Sequence, residues 1–122
     1  MNTALLVIAH GSRRAEANAE LVAVAASLRA RGEWLSVQPC YLELAEPDIA
    51  TGGQLCAASG AERVVMLPYF LSPGRHVVED LAAARDALKQ RFPAVEFVLA
   101  EALGRHPLIL EALIDRAAAA IA

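Results

Sequence analysis

The chain has 122 residues, 57% of them hydrophobic, with 14 acidic against 11 basic side chains and a formal net charge of −3. That length suits one domain with one core, spanning 1–122, and the acidic balance excludes a nucleic-acid binder that relies on a general basic surface. No apolar run approaches the roughly 18 residues of a membrane span, and the apolar start lacks the basic flank and cleavage pattern of a secretory signal. The expectation is a soluble, cytoplasmic protein with no membrane partner.

Residues 4–9 (ALLVIA) form a short apolar run without alternation, the pattern of a strand buried on both faces of a parallel sheet. Over 15–31, Leu21, Val24, Ala25 and Leu28 recur at helical spacing, and Gly32 stands where a C-terminal stop belongs. Residues 35–42 (LSVQPCYL) read as a second strand, in which Pro39 lacks a ladder donor and favours the sheet edge. Pro47 is expected in the first turn of a second helix, with Asp48 near its positive end; Gly52 and Gly53 interrupt that helix.

A third strand (63–67, RVVML) precedes a helix whose apolar face is Val77, Leu81, Ala84 and Leu88. A fourth strand (95–99, VEFVL) precedes a last helix over 107–121, with Leu110, Leu113, Ile114, Ala117 and Ile121 expected to point inward. Four alternations of strand and helix predict an α/β fold, a single four-stranded parallel sheet with helices on both faces. The flavodoxin-like order 2-1-3-4 places the Pro39 strand at an edge. Cys40 and Cys56 lie in apolar surroundings without C-x-x-C spacing and read as core residues of a reducing compartment.

Ligands of open α/β sheets bind outside the carboxyl ends of the strands. There the sequence places His10, Gly11, Ser12, Arg13 and Arg14 after strand one, Glu43 after strand two, and Ser72, Gly74, Arg75 and His76 after strand three. Two histidines brought to one crevice with a carboxylate nearby suit a first-row divalent ion with open coordination positions, and the same groups accept protons near neutral pH. Arg13, Arg14 and Arg75, with Ser12 and Ser72 beside them, are the candidate partners for ligand carboxylates. His106, before Pro107 at a helix start, reads as structural. Neither G-x-G-x-x-G after strand one nor G-x-x-x-x-G-K-[ST] occurs, so dinucleotide binding and ATP hydrolysis lack support.

With these residues assembled, the chain resembles the short, single-domain CbiX-type sirohydrochlorin cobaltochelatases, relatives of the sirohydrochlorin ferrochelatases and archaeal nickelochelatases. The resemblance covers nearly the whole length and rests on AHGSRR at 9–14, YLELAEPDI at 41–49 and LPYFLSPGRHVVEDL at 67–81, with weaker agreement in LGRHP at 103–107. It implies insertion of cobalt, iron or nickel as the divalent ion into sirohydrochlorin, a lyase reaction in cobalamin or siroheme-type tetrapyrrole biosynthesis. It also implies that His10 and His76 are the metal-binding and catalytic pair, with Glu43 in the same pocket. No cofactor beyond the metal substrate is expected. Because the longer chelatases of this kind have two such lobes in one polypeptide, a homodimer is the expected working unit, with Tyr69 to Leu71 as candidate contact residues.

Two other readings compete. A non-catalytic metal-binding or tetrapyrrole-carrier module would use the same histidines. A histidine phosphatase is also suggested by His10-Gly11 at the end of strand one, but that signature has arginine immediately before the histidine, where this chain has Ala9.

Overall fold

A computed structural model describes residues 2–122. Four strands alternate with four helices: β1 (Thr3–Ala9), α1 (Ala15–Ala30), β2 (Val37–Tyr41), α2 (Ile49–Ala58), β3 (Arg63–Pro68), α3 (Arg75–Arg91), β4 (Glu96–Leu99) and α4 (Pro107–Ile121). The strands form one parallel sheet in the order β2-β1-β3-β4, as the alternation and Pro39 predict. Pro39 lies on the edge strand opposite Val7, and its carbonyl accepts a 2.8 Å hydrogen bond from the Gln38 side-chain amide. An edge tolerates the missing donor because no further strand needs it.

Alternation along β1 divides its side chains between two cores. Leu5 and Val7 pack with Leu21 and Ala25 of α1, together with Val37 and Tyr41 of β2. Ala4, Leu6 and Ile8 face α2 and α3, where Cys56, Val64, Met66, Leu81, Leu88 and Phe97 complete a larger cluster. Each large aliphatic or aromatic side chain fully buried there stabilises the fold by about 1.5–3 kcal/mol relative to exposure. No helix is long and apolar enough to cross a membrane among the described residues.

The second helix corrects the sequence expectation twice. It begins at Ile49, with Asp48 as its cap accepting a 2.8 Å bond from the Thr51 amide, while Pro47 lies outside the first turn. Gly52 and Gly53 do not interrupt it. A Cβ on Gly52 would stand 2.8 Å from Leu6 and 2.9 Å from Cys40, and one on Gly53 would stand 2.6 Å from Leu88. The helix therefore approaches both the sheet and α3 so closely that only hydrogen fits, and the contact offsets the helix-propensity cost of glycine.

The last helix corrects it a third time. Its span is the expected one, but none of its residues is buried. Leu110, Leu113, Ile114 and Ile121 are each more than half exposed. The stripe expected to face inward faces outward.

Candidate functional site

The carboxyl ends of β1, β2 and β3 are tied together beyond the strands proper. The Leu42 amide donates to the Ala9 carbonyl (3.0 Å), the Glu43 amide to the His10 carbonyl (3.1 Å), and the Tyr69 amide to the Ile8 carbonyl (2.7 Å). These bonds fix His10 and Glu43 side by side. Gly11 permits the approach: its φ of +97° is a left-handed conformation, and a Cβ there would overlap the Glu43 carbonyl oxygen.

His10 Nε2 and Glu43 Oε1 are 2.9 Å apart, and the edge of the Phe70 ring meets the imidazole at right angles with centroids 6.4 Å apart. Both partners of the pair are more than half exposed. A contact this exposed contributes at most about 1 kcal/mol to stability. Holding the fold together is thus not its main consequence; it orients an accessible imidazole against a carboxylate. With Nε2 donating to the carboxylate, the neutral ring carries its lone pair on Nδ1, open to a proton or an ion.

His76 is the second residue of α3, within the first turn, which Gly74 caps without a side chain. It lines the same cavity as His10 and Glu43, a concavity of about 460 Å³ with Leu42, Ile49, Val77 and Ala84 as its apolar lining. Asp80, one helical turn beyond His76, lines it too. Asp80 was not among the candidates that the strand ends offer, although its i,i+4 spacing from His76 puts both on one helix face. Among the described residues no three His, Cys, Asp or Glu side chains stand close enough together to hold an ion as they are. The cavity offers an open arrangement of His10 with Glu43 and, separately, His76 with Asp80.

The other candidate residues lie outside that lining. Ser12 is engaged in its own loop: its amide donates to Asn18 Oδ1 (2.9 Å), its carbonyl accepts from Asn18 Nδ2 (2.7 Å), and its hydroxyl accepts from the Arg14 amide (3.0 Å). Arg14 pairs with Glu16 and Arg75 with Glu79, both on the surface. Arg13 and Ser72 are exposed. His106 caps α4, with Nδ1 accepting from the Leu108 amide at 3.1 Å. A larger open groove of about 850 Å³ lies along Glu43, Glu46 and Asp48, but no histidine lines it. Both candidate histidines line the smaller cavity instead.

Fold and site together define a doubly wound α/β protein whose polar groups gather at the carboxyl edge, where the chain leaves β1 and β3. The family model described as CbiX matches residues 4–120, and the chain belongs to that family. It is 35% identical over 92% of its length to the chloroplastic sirohydrochlorin ferrochelatase of Arabidopsis thaliana, and covers 50% of that protein. It is 34% identical, over 92% of its length, to the sirohydrochlorin cobaltochelatase of Priestia megaterium, covering 36% of it. SirB from Bacillus subtilis, solved with Fe3+, superposes with a TM-score of 0.85 at 28% identity, over 95% of this chain and 46% of that one. The chain thus spans half the length, or less, of these three relatives.

Proposed function

We propose that the protein is an enzyme that inserts a divalent ion, cobalt or iron with nickel also accepted, into sirohydrochlorin at the His10, Glu43 and His76 cavity. The observation that carries this reading is the His10–Glu43 pair standing in one open cavity with His76, in a chain whose relatives are named for that reaction. The reaction strips water from the ion and removes two pyrrole N–H protons as the nitrogens take the metal. His10, oriented by Glu43, is suited to accept these protons at Nδ1 one at a time, passing the first to solvent from the open cavity before taking the second, and the carboxylate stabilises the imidazolium each time. His76 is the ligand that hands over the ion, and Glu43 joins it through the carboxylate oxygen that does not hold His10. Imidazole and carboxylate discriminate poorly among these ions, so supply decides which is used.

Ser12, Arg13, Arg14, Ser72 and Arg75 form the rim proposed to meet the tetrapyrrole carboxylates. Arg14 and Arg75 would exchange weak surface pairs with Glu16 and Glu79 for charged ligand groups, at small cost. The reaction takes place in the cytoplasm, where Cys40 and Cys56 remain thiols, and uses no cofactor beyond the metal substrate. The working unit is proposed to be a homodimer, because a wide plate with two faces needs a second wall beside the open cavity.

The test is metallation of sirohydrochlorin by purified protein with Co2+ or Fe2+, followed by the change in visible absorption. His10→Ala and His76→Ala are each expected to lower the rate on the order of 10²-fold or more while the circular dichroism stays unchanged. Tight binding of tetrapyrrole or metal without turnover would favour a carrier module instead. Full activity in both variants would refute the assignment.

A further inference from the structure

Taking the chelatase reading above as given, we infer that Asp80 and His76 form a loading site on α3, which takes up the hydrated divalent ion before it reaches Glu43. The same cavity then holds two stations for its metal substrate.

Asp80 is an exposed carboxylate to which the fold gives no bond. Among the described residues it makes no hydrogen bond or ion pair, whereas Glu79 beside it holds Arg75 and Asp86 holds Arg85. Its helix neighbours at i−3, i+3 and i+4 are Val77, Ala83 and Ala84, so no lysine or arginine lies one turn away. It stands in the second turn of α3, past the first-turn amides that favour a carboxylate. What lies within helical reach is His76, at i−4. Neither ring nitrogen of His76 is bonded within the described residues, in contrast to His10 with Glu43 and His106 with the Leu108 amide.

Side chains at i and i+4 of a helix have Cβ atoms about 5–6 Å apart and can close on one ion, the spacing by which paired helical histidines hold zinc. Imidazole nitrogen with carboxylate oxygen is a donor set for cobalt, iron or nickel. Leu42, Ile49, Val77 and Ala84 supply apolar lining, beside which a carboxylate attracts a cation more strongly than in open water. Two protein ligands leave the ion most of its water. That suits a cargo that must leave again, whereas a closed set would retain it. The handover is then an exchange of carboxylates: the bond from the ion to Asp80 breaks and one to the free Glu43 oxygen forms, while His76 stays bound. No proton moves, and the charge of the donor set stays constant. The wider groove along Glu46 and Asp48 is the competing way in, but Asp48 is committed to the Thr51 amide and no histidine lines that groove.

The test reads Co2+ alone, by calorimetric titration and by the visible absorption of the bound ion, and then insertion rates at varied Co2+ and varied sirohydrochlorin. Asp80→Asn keeps the size of the side chain and loses its charge. It is expected to weaken Co2+ binding at least about 10-fold and to raise KM for Co2+ by a similar factor. The kcat at saturating Co2+, the KM for sirohydrochlorin and the circular dichroism should stay those of the parent. Asp80→Glu, with the charge on a longer arm, should recover most of the binding. In His76→Ala with Asp80→Asn the combined loss should be smaller than the sum of the two single losses, because either change alone opens the clip. Glu46→Gln should leave Co2+ binding unchanged. Parent-like Co2+ affinity in Asp80→Asn, fully additive losses, or a larger loss in Glu46→Gln would overturn the loading site. A parent protein that binds Co2+ through Asp80 but does not metallate sirohydrochlorin would overturn the chelatase reading and leave the two-ligand ion site standing.

Discussion

Replacing Gly11 with alanine tests the geometry that holds the candidate site. Two penalties separate there. A side chain at φ +97° pays for left-handed backbone, about 1–2 kcal/mol. The new Cβ would also overlap the Glu43 carbonyl oxygen, a backbone atom that cannot rotate aside because the Glu43 amide is bonded to the His10 carbonyl at 3.1 Å. Gly32 provides the control: its φ is +71°, but nothing lies within 4 Å of its would-be Cβ. Gly32→Ala should therefore cost about 1 kcal/mol and Gly11→Ala about 3 kcal/mol. Denaturant unfolding at one fixed chain concentration reads both, as a shift of midpoint with unchanged slope. Relief of the overlap must push Glu43 away from His10, so metal insertion should fall on the order of 10²-fold in Gly11→Ala and hardly change in Gly32→Ala. Equal destabilisation by the two substitutions, or wild-type insertion by Gly11→Ala, would refute the reasoning.

Three further outcomes follow from the same structure. Hydrogen bonding from the Thr51 backbone amide holds the Asp48 carboxyl below its ordinary pKa. The folded pKa being the lower one, the cap's contribution is complete above the unfolded value and is lost as pH falls through the folded one, so Asp48→Ala should cost about 1 kcal/mol at pH 7 and the gap should close in acid, below about pH 4, in paired unfolding curves. Burial pushes the Cys56 thiol up to about 11, and burial chiefly, with Cys56 and Asp48 nearby, pushes Cys40 higher still; a thiol reagent at pH 8 should label neither in the folded protein and both after unfolding, by mass. Phe97→Ala removes the largest fully buried side chain and should cost about 3–5 kcal/mol in chemical denaturation, while the distant His10–Glu43 pair keeps its geometry.

Much of the site was legible because strand ends are legible. A buried apolar run followed at once by His10-Gly11, and a strand followed by Pro73-Gly74 and then His76, put both histidines at the carboxyl edge as soon as the strands are parallel. Asp80 was not legible in the same way. An acidic residue in a charged, exposed helix looks like ordinary solvation, and only the packing of α3 beside the β1 and β2 ends turns it toward the cavity. The bonding of the loop after β1 was not legible either: Asn18, six residues beyond Ser12, draws that loop into a closed hydrogen-bonded turn.

The sequence by itself determined the alternation of strands and helices, the sheet order and the edge position of Pro39, because hydrophobic period and a missing backbone donor are local properties that tertiary contacts did not override. The tertiary structure alone decided what covers each apolar face. Gly52 and Gly53 break a helix on propensity, yet keep one here because Leu6, Cys40 and Leu88 press against it; the α4 stripe has core periodicity, yet stays outside because its connection is seated against the β3–α3 loop. Periodicity shows that a face must be buried, and only the path of the chain in space shows against what.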